Sequence, residues 1–389
     1  MKIKRYKQFL ELKNSSDMWN IIPDSVKELH NLFKKFDKKL YLVGGSVRDF
    51  LTGDKPKDFD LATDATPDEV LNILQDKYRT NLQGRAFGVV VVYTKDQPMG
   101  MEIATFRSDV YDGKLGQTRN PDVKFSTIDE DVLRRDLSIN GLFYDLDKKE
   151  IIDLVGGVND IENKTIRMIG EPELRIQEDP LRILRVARFA FRYEFDIHED
   201  TKNAIIKNKK SLDIISKERI WEEIKKSFSY VKGDKNFINY LNLFTELDLW
   251  KEVFPDSNIN TNIVNSNNLV VIIANLFKNE SIVGLERKLV QNYKIEMDIA
   301  NKVVFLISLY NFKNEDVFDF YRKKVQCAIS DSTISEWIEV QNIDNNSLIK
   351  FVDYKPSISS KELMDKGFTG VKLGQEIKRL EAEKFISEL

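Results

Sequence analysis

Asp58 and Asp60 are two carboxylates separated by one aromatic residue, Phe59, with apolar neighbours beyond. In an extended chain, residues two apart point to the same face, so both acids would stand together while Phe59 turns into a core. Two carboxylates on one rigid edge make a hard-oxygen site for Mg²⁺, which usually bridges protein carboxylates and substrate phosphates. Asp-x-Asp recurs at Asp129/Asp131 and Asp145/Asp147, so spacing alone does not single out this pair. The order around it does. An apolar run from Leu40 to Val43 meets Gly44-Gly45, then a short helical pattern, then a Gly/Pro-punctuated turn that leads into the acidic pair. Glycines that leave backbone N–H groups bare at a helix start let an anion approach closely. Ser46 reads as the N-cap of that helix, with Asp49 three residues on in a capping-box-like spacing.

Other residues bring chemistry from further along the chain. Glu102 lies in the strand-like MEIATF, where it is either the polar face of an alternating strand or a third carboxylate beside Asp58 and Asp60. Thr127 and Glu130 read as a capping box opening a helix through Arg134, Arg135, Asp136 and Asn140. An arginine and an asparagine amide on adjacent turns can hold a 2′-hydroxyl, which is both donor and acceptor. Asp179 reads as an N-cap with Pro180 at the first helical position, followed by Arg182, Arg185, Arg188 and Arg192 on one side of the helix. Four arginines and no lysine favour a face for phosphates or carboxylates over a solvated stripe.

The ordered set Gly44-Gly45-Ser46-Val47-Arg48-Asp49 with Asp58-Phe59-Asp60 resembles the signature of the DNA polymerase beta-like nucleotidyltransferases. More narrowly it resembles the class II tRNA nucleotidyltransferase and bacterial poly(A) polymerase family. RRDLSINGLFYD is similar to that family's ribose-recognising motif, Ile151 to Gly157 to its third motif with a structural Asp153, EDPLR at Glu178–Arg182 to its base-reading motif, and Glu218-Arg219-Ile220 to its fifth. The resemblance implies an α+β fold class: a nucleotidyltransferase head followed by an all-helical neck, body and tail. It implies that Asp58, Asp60 and Glu102 hold Mg²⁺ and carry catalysis. Gly44, Gly45, Ser46, Arg48, Arg135, Asp136, Asn140, Asp179, Arg182, Arg185 and Arg188 bind the nucleotide. Asp179 would accept from the exocyclic amino group of cytosine or adenine while Arg182 donates to the ring nitrogen. CTP, ATP and the 3′ end of tRNA are the implied partners, with addition of CCA favoured because Gly84-Arg85-Ala86-Phe87-Gly88 looks like the CCA-adding members. Addition of poly(A), of CC alone or of A alone are the alternatives within the family, and a catalytically silent RNA-binding protein is the alternative outside it.

These residues need positioning elements. Amphipathic spacing predicts a helix from Ser25 to Phe36, and Thr66 with Glu69 caps another over Pro67 to Leu74. GVVVVY and MEIATF predict strands, and Arg107 to Asp122 reads as a long loop. Ser216 to Phe228 reads as a capped helix, and from Tyr230 onward helices recur at Phe237 to Leu247, Leu269 to Phe277, Ile282 to Leu289, Ile299 to Tyr310 and Val317 to Lys323. The expected division is an N-terminal extension (1–24), the head (25–155), a neck (156–228), a body (229–330) and a tail (331–389). In the tail, Lys366, Gly370 and Lys372, with Gly367 and Gly374, resemble an RNA-contacting turn before a final helix.

Composition narrows the classes. With 389 residues, 42% hydrophobic and 32% charged, the chain can build several packed domains. No apolar run approaches a membrane span and the N-terminus has no signal-peptide pattern, so no membrane association is expected. One cysteine fits a reducing cytoplasm, and with only two histidines a Cys/His zinc site is not expected. No His-Asp doublet appears, so no appended metal-dependent phosphohydrolase domain is expected. A net charge of −3 argues against a bulk nucleic-acid coat but leaves local patches open.

Overall fold

Residues 15–75, 77–82, 84–110, 122–231 and 235–389 are described by a computed structural model of the chain. The chain divides into two compact units, Met1–Ile215 and Ser216–Leu389. The first is built on a seven-stranded sheet in the order β3-β4-β5-β2-β1-β8-β9. The strands are β1 (Leu40–Val43), β2 (Leu61–Thr63), β3 (Arg79–Asn81), β4 (Val89–Tyr93), β5 (Met101–Thr105), β8 (Leu142–Asp145) and β9 (Glu150–Asp153). Every neighbouring pair is antiparallel except β2 with β5, where Leu61 lies opposite Ile103 and Ala62 opposite Ala104. This one parallel pair decides the site, because it brings the residue before Leu61 alongside the residue before Ile103.

Alternation assigns the two sheet faces. Tyr41 and Val43 on β1, Ala62 on β2 and Phe143 on β8 share one face, where they pack with Phe106 and Val132 and with the partly buried Ile128, Ile152 and Val155. Helices Asp24–Lys34, Gly45–Thr52 and Pro67–Leu74 pack on β1, on β1 with β8, and on β4 respectively. The last opens with the expected capping box: Glu69 N donates to Thr66 Oγ1 and Thr66 N to Glu69 Oε2. Helices Ser15–Ile21, Ile128–Arg134, Gly157–Glu162, Pro172–Glu178, Arg182–Tyr193 and Glu199–Asn208 belong to the same unit. The neck is not all helical, since Thr165–Ile166 pairs in parallel with Asp196–Ile197.

Several local expectations are corrected. Arg107 to Asp122 is not simply a loop: β6 (Arg107–Val110) and β7 (Asp122–Phe125) form an antiparallel ribbon, while 111–121 lie outside the described residues, as do 1–14 of the expected N-terminal extension. The helix after Thr127 stops at Arg134, Arg135 turns to an extended conformation, and a 3₁₀ turn at Ser138–Asn140 follows. Neither Thr127 nor Ser216 makes a side-chain cap bond.

The second unit contains helices and no strand among the described residues. Ile238–Glu246, Leu269–Phe277, Met297–Ser308 and Val317–Gln326 match the expected amphipathic runs. The run at Ile282 to Leu289 becomes a short helix, Leu285–Arg287, continued by a π-turn. No helix among the described residues is long and apolar enough to cross a membrane.

Candidate active site

The Gly-Gly pair sits where β1 ends. Gly44 has φ +58° and ψ −108°, a conformation that a side-chain-bearing residue enters only with strain. A Cβ there would meet Arg135 Nη1 at 3.5 Å and Asn140 O at 3.6 Å, ordinary contacts, so backbone conformation and not crowding demands glycine. The Gly44 N–H is not bare: it donates to Leu142 O at 2.9 Å and ties the turn to β8. Donors for an anion therefore come from the first turn of the Gly45–Thr52 helix, whose leading N–H groups have no intrahelical acceptor. Gly44 is the N-cap, and Ser46 lies inside the helix with its hydroxyl directed at Val43 O, 3.4 Å away, so the expected Ser46 cap does not form.

Asp58, Phe59 and Asp60 lead into β2. Phe59 is buried as the alternation requires, Asp58 is exposed and Asp60 half-buried. Val43 N donates to Asp60 O at 3.0 Å, which fixes Asp60 beside the Gly-Gly turn. By the β2–β5 register, Glu102 is the neighbour of Asp60 on the same face. The Asp60 carboxyl is pushed up to about 6, first by burial and then by the charges of Glu102 and Asp58, against the opposing pull of Arg135 and Arg48. The three acids thus act on one another electrostatically. They do not close into a cage: no three Asp, Glu, His or Cys side chains among the described residues converge to hold a metal ion. An open donor set of this kind suits a divalent cation that takes one or two carboxylates and completes its shell from phosphate oxygens and water. The other two Asp-x-Asp pairs serve turns and ion pairs. Asp131 is buried against Arg134 and Arg135, and Asp145 Oδ1 accepts from Asp147 N and Lys148 N.

Arg134, Arg135, Asp136 and Asn140 are brought together without a continuous helix. Asp131 holds both arginines and also accepts from Arg107 N at 3.3 Å, linking the base of the β6–β7 ribbon to this cluster. Asp136 accepts from Leu137 N at 2.8 Å, from Asn140 Nδ2 at 3.0 Å and from Arg185 Nε and Nη2 at 2.8 and 2.5 Å. Burial alone would raise the Asp136 carboxyl, but the Arg185 charge and these donors hold it well below the usual carboxylate range. Asn140 Oδ1 in turn accepts from Arg48 Nη1.

The arginine-bearing helix, Arg182–Tyr193, turns its basic side inward. Arg182 and Arg188 are buried, so these residues are not a solvated stripe. The helix begins two residues later than its sequence suggests, and Asp179 Oδ1 accepts from Leu181 N at 3.3 Å in the preceding turn. Arg182 donates to Arg175 O, Glu178 Oε2 and Arg134 O, so in this state it is held by Glu178 and backbone carbonyls and not paired with Asp179. Arg188 lies over the Phe189 ring, 4.4 Å from its centroid.

Sequence reasoning missed the far end of this helix. Tyr193 and Arg192 reach Asp49 on the Gly45–Thr52 helix, a contact across 144 and 143 residues. The Ser46-to-Asp49 spacing predicts capping for Asp49, and nothing in the local pattern points to partners at Arg192 and Tyr193. Asp153 does have a structural role: it accepts from the N–H groups of Val155, Gly156, Gly157 and Val158 and so starts the Gly157–Glu162 helix. In the second unit, Lys366, Gly370 and Lys372 are exposed around the start of the Gly370–Ser387 helix. Gly367 and Gly370 take positive φ there, but Gly374 lies within the helix and not in the turn.

The chain is similar to several known proteins. The family described as "Poly A polymerase head domain" matches residues 40–167, and "Probable RNA and SrmB- binding site of polymerase A" matches 194–259. A CCA-adding enzyme of Ligilactobacillus salivarius is 31% identical over 93% of this chain and 93% of its own length. Poly(A) polymerase I of Salmonella typhi is 37% identical over 61% of this chain, and the chain spans about half the length of that relative, 50%. Among solved structures, the Bacillus stearothermophilus CCA-adding enzyme in complex with CTP shares the fold at a TM-score of 0.67 and 23% identity, over 93% of this chain and 92% of that one. The Thermotoga maritima CCA-adding enzyme complexed with tRNA does so at a TM-score of 0.64 and 19% identity, over 94% and 92%.

Proposed function

The chain belongs to the family of CCA-adding enzymes and bacterial poly(A) polymerases, and on that premise we propose that it adds CMP, CMP and AMP to tRNA 3′ ends. CTP and ATP are the substrates and pyrophosphate the leaving group. The observation that carries this reading is the Asp58/Asp60/Glu102 set beside the Gly44 turn, in a chain matching a CCA-adding relative over 93% of both lengths. The working division is a head over 25–155, a neck over 156–228, a body over 229–330 and a tail over 331–389.

Nucleotidyltransferases of this kind use divalent metal ions, and we assign Mg²⁺ to Asp58, Asp60 and Glu102 because Asp60 is partly buried with the charges of Glu102 and Asp58 acting on it, a crowding of carboxylates that a divalent cation would relieve. Ions held by these carboxylates would supply Lewis-acid activation of the attacking 3′-hydroxyl and neutralisation of charge at the α-phosphate. The chain's own residues bind and select. The start of the Gly45–Thr52 helix and Arg48, Arg185 and Arg188 bind the triphosphate. Arg135, Asp136 and Asn140 hold the ribose. Asp179 and Arg182 read the base once Arg182 shares or leaves its Glu178 contact. Cytosine and adenine both offer an amino donor beside a ring-nitrogen acceptor. Uracil and guanine reverse that polarity and would leave buried groups unpaired, at about 1–3 kcal/mol each. Lys366, Gly370 and Lys372 contact the tRNA backbone, and the single cysteine accords with a cytoplasmic setting.

The test supplies a tRNA lacking its last three nucleotides with Mg²⁺ and CTP, ATP or both. Two additions with CTP and a third that needs ATP establish the reading. Poly(A) polymerase is favoured by the 37% identity to the Salmonella enzyme, and it predicts unlimited growth with ATP alone. CTP addition that stops at two makes it a CC-adding enzyme, ATP addition that stops at one an A-adding enzyme, and no incorporation favours an RNA-binding protein. Asp60→Ala should abolish addition while RNA binding, followed by gel shift, stays largely intact; retained turnover would overturn the assignment of the acids.

A further inference from the structure

We propose that Tyr193 and Asp49 are positioning residues that fix the spacing between the triphosphate-binding helix and the base-reading helix, and through it the preference for CTP over UTP. The inference rests on the base-reading role given to the Arg182–Tyr193 helix above.

The Tyr193 hydroxyl donates to Asp49 Oδ1 at 2.6 Å and accepts from Arg48 Nε at 2.6 Å, while Arg192 Nη2 donates to Asp49 Oδ2 at 2.9 Å. Both Asp49 oxygens are therefore engaged by the far end of the other helix. Arg48 also donates to Asp49 Oδ1 from Nε and Nη2, so one carboxylate gathers three side chains. The aromatic wall reinforces this: Phe189 and Tyr193 are parallel within 1° at 6.3 Å, and the Arg48 guanidinium lies 5.0 and 5.2 Å from their centroids. Burial and the neighbouring Asp49 charge push the Tyr193 hydroxyl far above its ordinary range, so it stays protonated and donating.

The geometry gives the tie a purpose. The base-reading helix is anchored near its start by Arg185 on Asp136 and at its end by Tyr193 and Arg192 on Asp49. Two anchors fix a helix axis, whereas one leaves a pivot. Selection by hydrogen-bond polarity works only while Asp179 and Arg182 are held where a wrong base leaves them unpaired; a helix free to tilt admits water or a shifted base and relieves that penalty. Neither Tyr193 nor Asp49 needs to touch the nucleotide for this.

Tyr193→Phe removes the hydroxyl and keeps the stacked ring. Binding of CTP and of UTP to the full chain is measured by calorimetry, and kcat and KM for each on a tRNA lacking its last three nucleotides. The expected result is a fall of about tenfold in the CTP-over-UTP preference, carried by KM and by affinity, with the melting temperature within about 3 °C of the parent. An unchanged preference overturns the proposal even if kcat falls, since a merely structural loss affects both nucleotides alike. If Tyr193→Phe fails to fold, Arg192→Gln removes the second tie and should lower the preference in the same direction; a preference equal to the parent's refutes the idea. A parent protein that binds CTP no better than UTP brings down the base-reading assignment itself, which is a different result from a selective parent with equally selective variants.

Discussion

Asp136→Asn keeps the size of a side chain that four donors surround and removes its charge. The native carboxylate faces Arg185 through 2.8 and 2.5 Å contacts and holds Asn140 and Leu137 N on its other oxygen. Breaking a buried ion pair by removing one partner costs about 3–5 kcal/mol. Here the Arg185 side chain is 32% exposed against 11% for Asp136, so the stranded guanidinium recovers part of its hydration. That lowers the expected loss to about 2–3 kcal/mol. For a unit of this size it corresponds to a fall of about 5–10 °C in melting temperature, read by calorimetry. The sign with pH follows from the depressed carboxyl. A group whose folded pKa lies below its unfolded value stabilises above that unfolded value, about 3.9, and the contribution is lost as pH falls through the folded one. The deficit of the variant should therefore stay constant from pH 8 to 5 and close only below about pH 4. Because Asp136 also aims the Asn140 amide, the preference for CTP over dCTP should fall about tenfold. A melting shift below about 2 °C would refute the network as a stabilising element, and an intact ribose preference would refute its part in recognition.

Three further substitutions separate conformation, capping and protonation. Gly44→Ala forces a side chain into φ +58°, ψ −108°, at a cost of about 1–3 kcal/mol, and should weaken CTP binding because the turn carries the start of the Gly45–Thr52 helix; calorimetry with and without CTP checks both. Asp153→Ala strips the acceptor from four backbone N–H groups and should cost about 2 kcal/mol in urea unfolding while leaving kcat of the folded fraction unchanged. His30 is buried with Nε2 at 3.5 Å from Asp147 Oδ1, and burial lowers its pKa despite the pull of Asp147 and Asp145, with Lys34 adding to the lowering. Its stabilising contribution is therefore present above about 6.5 and lost as pH falls towards the folded value. His30→Gln should flatten the decline in melting temperature between pH 7 and 5.5, and an unaltered slope would exclude His30 as its source.

What the sequence made legible is what short-range pattern controls. Phe59 is buried between its two acids because period-two alternation acts on adjacent residues, and the Thr66–Glu69 box forms because both partners lie within one turn. Where a distant partner competes, the local reading loses. Arg135 leaves the helix begun at Ile128 with its guanidinium drawn back onto buried Asp131, so the Arg135–Asn140 segment turns inward where its spacing promised adjacent helical turns. Asp49 stands at capping spacing from Ser46, yet its oxygens go to adjacent Arg48 and to Arg192 and Tyr193, 143 and 144 residues on. The acids show the same limit from the opposite direction. Asp58 and Asp60 announce themselves by spacing, but Glu102 joins them only because β2 and β5 run parallel in a sheet whose other pairings are antiparallel. An antiparallel β2–β5 pairing would reverse the order of β5 against β2 and carry Glu102 away from Asp60 unless the register moved with it. The third acid is thus a consequence of topology. Moving β5 by one residue, through a deletion at Asp96–Pro98, would turn Glu102 to the opposite face while sparing every motif in the linear pattern.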